Sequence, residues 1–94
     1  MGNISQVLFH QYLLKVGVSE ENIIHMNLES LRYRNLTDYV AFYDYVSKRI
    51  PKTGKTYLMF DEMQTIDHWE KAIESFRLDF NVDIYITGSN AYLL

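Results

Sequence analysis

The stretch PKTGKTYLMFDEMQ, residues 51–64, decides how this chain folds. Its centre, TYLMFD (56–61), is a continuous apolar run with no polar alternation before Asp61. A strand with one wet face alternates apolar and polar residues, whereas a strand covered on both faces does not. The run therefore predicts a strand inside a parallel sheet that helices cover on both sides. Upstream, Pro51 cannot continue a helix, because it lacks the N–H and its ring clashes with the preceding turn. Downstream, residues 67–80 predict a helix. Asp67 with Glu70 makes a capping-box-like start, and Trp69, Ala72, Ile73, Phe76 and Phe80 form one stripe. VDIYIT (82–87) predicts a third strand, and GSNAYLL after it resembles a loop entering a further helix.

On the amino side, residues 36–50 predict a helix with Leu36, Tyr39, Val40, Tyr43, Val46 and Ile50 at helical spacing. Asn35 is placed to cap it, and Lys48 and Arg49 suit the negative end of its dipole. NIIHMNL (22–28) predicts the first strand, after a turn at SEEN (19–22). Residues 4–16 predict a helix with a wide apolar face, stopped by Gly17. The order α-β-α-β-α-β requires crossover connections, so the sheet should be parallel and right-handed in its connections. The expectation is a three-layer α-β-α unit with strand 56–61 in the middle, flanked by 22–28 and 82–87.

The 94 residues allow a single small domain with a modest core. An apolar content of 48% and a charged content of 22% argue against disorder. A formal charge of -3 gives no electrostatic reason to expect nucleic acid or an anionic membrane. With no cysteine, disulfides and thiolate metal sites are excluded. No apolar run approaches the ~20 residues of a membrane span. MGNISQ lacks the basic and apolar regions of a signal peptide, so the expected location is cytoplasmic.

Gly54-Lys55-Thr56 carries the last letters of a phosphate-binding loop. Such a loop must lead from a strand into a helix, so that backbone N–H groups and the helix dipole converge on phosphate. Here the order is helix, Gly-Lys-Thr, strand, which predicts a polar turn with Gly54 at positive φ. Asp61 and Glu62 are different. They stand at the carboxyl end of a buried parallel strand, where ligands bind in open α/β sheets. A carboxylate there can hold Mg²⁺, and a second can activate water. The plain alternative is a strand-end cap beside a solvated acid. With no lysine or metal held nearby, the two charges should repel modestly, adding nothing to stability or opposing it. The third strand also ends in small polar residues: Thr87, Gly88, Ser89 and Asn90. They could hydrogen-bond a phosphate or a water, or Ser89 or Asn90 could simply cap a helix. His10, His25 and His68 each stand alone in the sequence, without a metal-spaced partner.

Three blocks together, ENIIHMNLES, YLMFDEMQ followed by WEKAIESF, and VDIYITGSNAYLL, resemble the AAA-type domain of a large group of prokaryotic P-loop ATPases. The resemblance covers most of the chain. It implies a partial P-loop NTPase core over residues 1–94. It implies that Asp61 and Glu62 are the Walker B pair, Asp61 holding Mg²⁺ and Glu62 serving as catalytic base. It implies further that Ser89 or Asn90 occupies the sensor position, and that Gln64 is the glutamine usual after the Asp-Glu pair. The family's phosphate loop would fall near residues 2 and 3, where Gly2 and Asn3 stand. The cofactors implied for the parent are ATP and Mg²⁺, with no tight binding expected from this chain and no catalysis by it alone. In the parent, strand 82–87 would pair with the strand that carries the phosphate loop. Without that neighbour, a homodimer is expected, through edge strand 82–87 or by exchange of a helix. The competing expectation is a small α/β binding or regulatory module without nucleotide chemistry. A receiver-like domain is one form of it, disfavoured by Asn27-Leu28-Glu29 at the first strand's end.

Overall fold

The computed structural model describes residues 5–88. Three helices and three strands alternate: α1 (Gln6–Lys15), β1 (Ile23–Asn27), α2 (Tyr39–Ser47), β2 (Thr56–Asp61), α3 (Trp69–Asp79) and β3 (Val82–Thr87). Short 3-10 turns intervene at Glu20–Asn22, Leu31–Tyr33 and Met63–Thr65. The sheet has the order β1-β2-β3, and both pairings are parallel. The apolar run is thus the central strand, as its composition predicts. Ile23 pairs with Tyr57 and Asn27 with Asp61 on one side of β2. Thr56 pairs with Val82 and Asp61 with Thr87 on the other.

Alternation of side chains along β2 sends Leu58 and Phe60 to one face and Tyr57 and Met59 to the other. The first face carries the larger core, in which Leu58 and Phe60 pack with Phe42 and Val46 of α2 and Ala72, Ile73 and Phe76 of α3. The second face is covered by α1, where Leu13 meets Ile23 and Met59, flanked by Phe9 and Tyr57. Leu58, Met59 and Phe60 are fully buried. Both faces of the strand are dry, so neither can tolerate the polar residue that alternation would place there.

The helix starts differ from expectation. Residues 36–38 lie outside α2, and Asp38, not Asn35, caps it by accepting a hydrogen bond from the Ala41 N–H at 2.9 Å. Phe42 is fully buried and Val40 half-exposed, reversing the weight the spacing gives to Val40. At α3 the residue before the helix is His68 in the left-handed region, with no side-chain cap, so the Asp67–Glu70 capping box does not form. Asp67 instead makes a parallel bridge with Asp38, its N–H donating to the Thr37 carbonyl at 3.1 Å. That bridge ties the starts of the two helices together. The stripe of α3 is as expected: Trp69, Ala72, Ile73, Phe76 and Phe80 all join the larger core. Among the described residues no helix is long and apolar enough to cross a membrane.

Candidate functional site

The two halves of the decisive stretch lie at opposite edges of the sheet. Gly54 and Lys55 precede β2, and Asp61 ends it, roughly 20 Å away at the far end of a six-residue strand. Gly54 has φ +79, the positive value that its turn requires. The Lys55 ammonium lies 3.2 Å from Asp83 on β3, an exposed pair of small energetic weight. The Asn22 amide donates to the carbonyls of Thr53 and Lys55, at 3.2 and 3.3 Å, which closes the turn onto the residue before β1. Gly54-Lys55-Thr56 is a structural turn, joining no strand to a helix start.

Asp61 stands at the carboxyl edge of the central strand, on the face that α1 covers. Its side chain is 26% exposed, so it reaches solvent while leaning on neighbours. The Thr87 hydroxyl, from the register partner on β3, donates to Asp61 Oδ1. His25 Nε2, from β1, lies 3.5 Å from Oδ2. Both oxygens are therefore engaged, each keeping lone-pair capacity. The expectation that Asp61 adds nothing to stability rested on there being no counter-group nearby, and the structure supplies two. Asp61→Ala should lower the free energy of unfolding by about 1–2 kcal/mol, read as a shift of the urea midpoint, because it strips Thr87 and His25 of their partner. An unchanged or raised midpoint would contradict the contacts.

His25 leads to a line of side chains that the sequence treats as isolated. Its Nδ1 lies 3.2 Å from His10 Nδ1, and His10 Nε2 lies 3.0 Å from Glu20 Oε2. The line Glu20–His10–His25–Asp61–Thr87 crosses from the turn before β1, over α1, to the far strand. A signal for His25 did exist. It shares the α1-facing register of Ile23, two residues away, so it had to meet α1. Nothing in one sequence names His10 as the residue it meets.

Glu62 follows immediately in the left-handed region, φ 59 and ψ 47. Its N–H donates to the Thr87 carbonyl at 2.9 Å, so pairing with β3 continues while the chain turns. Gln64 Nε2 donates to Glu62 Oε1 at 2.6 Å. The structure thus brings Asp61, Glu62 and Thr87 together at one sheet edge, with Gln64 beside them. Ser89 and Asn90 lie outside the described residues. Among the described residues no three of His, Asp and Glu form a metal-binding cluster. Away from this edge, the Tyr85 hydroxyl has its pKa raised by burial and then by Asp83, and that of Tyr43 is raised by its hydrogen bond to Asp79 and by burial.

Comparison with known proteins agrees with this architecture. Residues 4–94 match the family model described as "AAA domain", and the chain belongs to that family. An uncharacterized protein of Haemophilus influenzae (strain ATCC 51907 / DSM 11121 / KW20 / Rd) is 38% identical over 87 residues. The match covers 92% of this chain and 22% of that protein, so the chain spans about a fifth of the length of this relative. No solved structure matches.

Proposed function

We propose that this AAA domain supplies the hydrolytic half of an ATPase site, with Asp61 and Glu62 as its Walker B pair. One observation carries the reading: adjacent carboxylates end the central strand of a parallel sheet, at the edge where α/β sheets bind ligands. Asp61 would hold Mg²⁺ through oxygen or through water, a role its exposure and hard donor set fit. Mg²⁺, when bound, neutralises charge on the phosphates of the nucleotide. Thr87 and His25 keep the Asp61 carboxylate in one orientation. Glu62 accepts the proton of an attacking water, and Ser89 or Asn90 sits at the sensor position. Lys55 lies at the opposite edge and takes no part. Since no described strand leads through a Gly-rich loop into a helix, this chain by itself should hold ATP weakly and turn none over. A cytoplasmic location goes with this proposal. The reading is tested by phosphate release from a protein that carries this domain at full length. Turnover that requires Mg²⁺ is the expected result. Neither binding nor turnover of ATP would leave a binding module without nucleotide chemistry.

For the isolated chain we propose a homodimer through β3. Among the described residues β3 pairs only with β2, and Val82, Ile84 and Ile86 are half-buried. Beside it runs an apolar groove of about 440 Å³, lined by Gln6, Phe9, Ile84, Tyr85, Ile86 and Thr87. Gln6 is buried there. Its Nε2 donates to the Tyr85 carbonyl at 3.3 Å, while its Oε1 has no partner among the described residues. A buried orphan acceptor beside an open strand edge suits a further backbone that brings N–H donors. At full length that backbone would be the phosphate-loop strand, and in the isolated chain it would be β3 of a second copy or an exchanged helix. Light scattering at roughly 100 μM should give twice the 11.2 kDa of one chain, and a monodisperse monomer would contradict the dimer.

A further inference from the structure

Three observations meet at Gln64. The first is backbone. Glu62 holds a left-handed conformation, uncommon for a residue with a side chain, and such positions persist where surroundings over-determine them. The second is a hydrogen bond. Gln64 Nε2 donates to Glu62 Oε1 at 2.6 Å, across the turn that leaves β2. The third is a close approach. Gly88, with φ +151, lies flat against this turn. A Cβ at Gly88 would come within 2.7 Å of Gln64 Oε1, 3.2 Å of Glu62 Cα and 3.3 Å of Glu62 N. So the Gln64 amide has its nitrogen on the carboxylate and its oxygen in the space that a Cβ at Gly88 would enter.

We propose that Gln64 is a positioning residue for Glu62, and that Gly88 keeps open the space Gln64 needs. This rests on the reading of Glu62 as the water-activating base. A carboxylate that takes a proton from water must present one oxygen in a fixed direction. The Gln64 N–H binds Oε1 and fixes the plane of the group. Oε2 is left to receive the proton. Gly88 follows directly on Thr87, whose hydroxyl holds Asp61. The end of β3 therefore braces both carboxylates, one by a hydrogen bond and one by leaving room for Gln64.

Two measurements test this. In the full-length protein, Gln64→Ala should lower kcat for ATP by about ten- to a hundredfold, as misplacing a catalytic group does, with KM held within about twofold. Gln64→Leu, which keeps the bulk but not the N–H, should behave like Gln64→Ala. Unchanged kcat in an active protein would overturn the proposal. In the 94-residue chain, NMR should find a downfield, slowly exchanging Gln64 Nε2–H that moves to the free-amide position on Glu62→Ala. A free-amide signal in the unsubstituted chain would overturn the proposal. In the same chain, Gly88→Ala should lower the urea midpoint less in a Gln64→Ala background than alone, since one clash has been removed. Equal shifts in the two backgrounds would contradict the close approach. If the unsubstituted full-length protein hydrolyses no ATP, the ATPase reading fails, and the NMR and urea arms still decide whether Gln64 holds Glu62.

Discussion

Glu62→Gln in the full-length protein should reduce ATP turnover by roughly two to four orders of magnitude, the contribution typical of a general base. Equilibrium binding of Mg²⁺–ATP should persist. The substitution is nearly isosteric, so the left-handed turn and the backbone bond to Thr87 stay in place. The Gln64 amide still finds an oxygen to donate to. What disappears is a group able to accept a proton. Phosphate release and nucleotide binding, measured on the same preparation, check the two halves of this statement separately. Turnover above a tenth of the unsubstituted rate would remove Glu62 from the role of base.

The second large effect is on folding. Phe42, Phe60 and Phe76 are each 0% exposed, and Phe42 of α2 meets the rings of Phe60 in β2 and Phe76 in α3 edge to face. The Phe42 and Phe60 ring centroids lie 4.9 Å apart, those of Phe42 and Phe76 5.8 Å apart. Aromatic pairs of this kind add to area burial, and their removal leaves a cavity in a close-packed core. Phe42→Ala should cost about 3–5 kcal/mol. Small domains are stable by only about 5–15 kcal/mol in total, and a chain of 94 residues falls toward the lower end. The variant should therefore lose its cooperative thermal transition near physiological temperature, seen by circular dichroism. Phe42→Leu should remain folded with a lower midpoint. A loss under about 1 kcal/mol for Phe42→Ala would mean that the three rings do not form the core.

How much of this was legible in the sequence depends on what kind of information each feature needs. The spans of β2 and β3 and the central place of β2 follow from local composition: an unbroken apolar run, then β-branched residues between polar bounds. Helix starts do not, because several residues near each start can cap. At α2 both Asn35 and Asp38 qualify, and the bridge between Asp38 and Asp67, two segments far apart in the chain, favours the second. Phe42 shows the cost. With Val40 counted in the stripe, Phe42, one of the two fully buried residues of the helix, was passed over. At the site, Asp61, Glu62 and Thr87 were readable as strand ends that a parallel register would bring together. The line through His10 and His25 was not, since it joins a helix to a strand through contacts that no spacing encodes. Gln64 was visible only as a letter of a motif. Its bond to Glu62 and its close approach to Gly88 depend on a left-handed residue, which Glu62 gives no local reason to adopt.

The central claim is that the carboxyl edge of β2 is the hydrolytic half of a nucleotide site. The most direct test is a structure of the full-length protein with Mg²⁺ and a non-hydrolysable ATP analogue. The account predicts Mg²⁺ within direct or single-water reach of Asp61, and a water between Glu62 and the terminal phosphate. Nucleotide bound at another edge of the sheet, or phosphates held by Lys55, would contradict it.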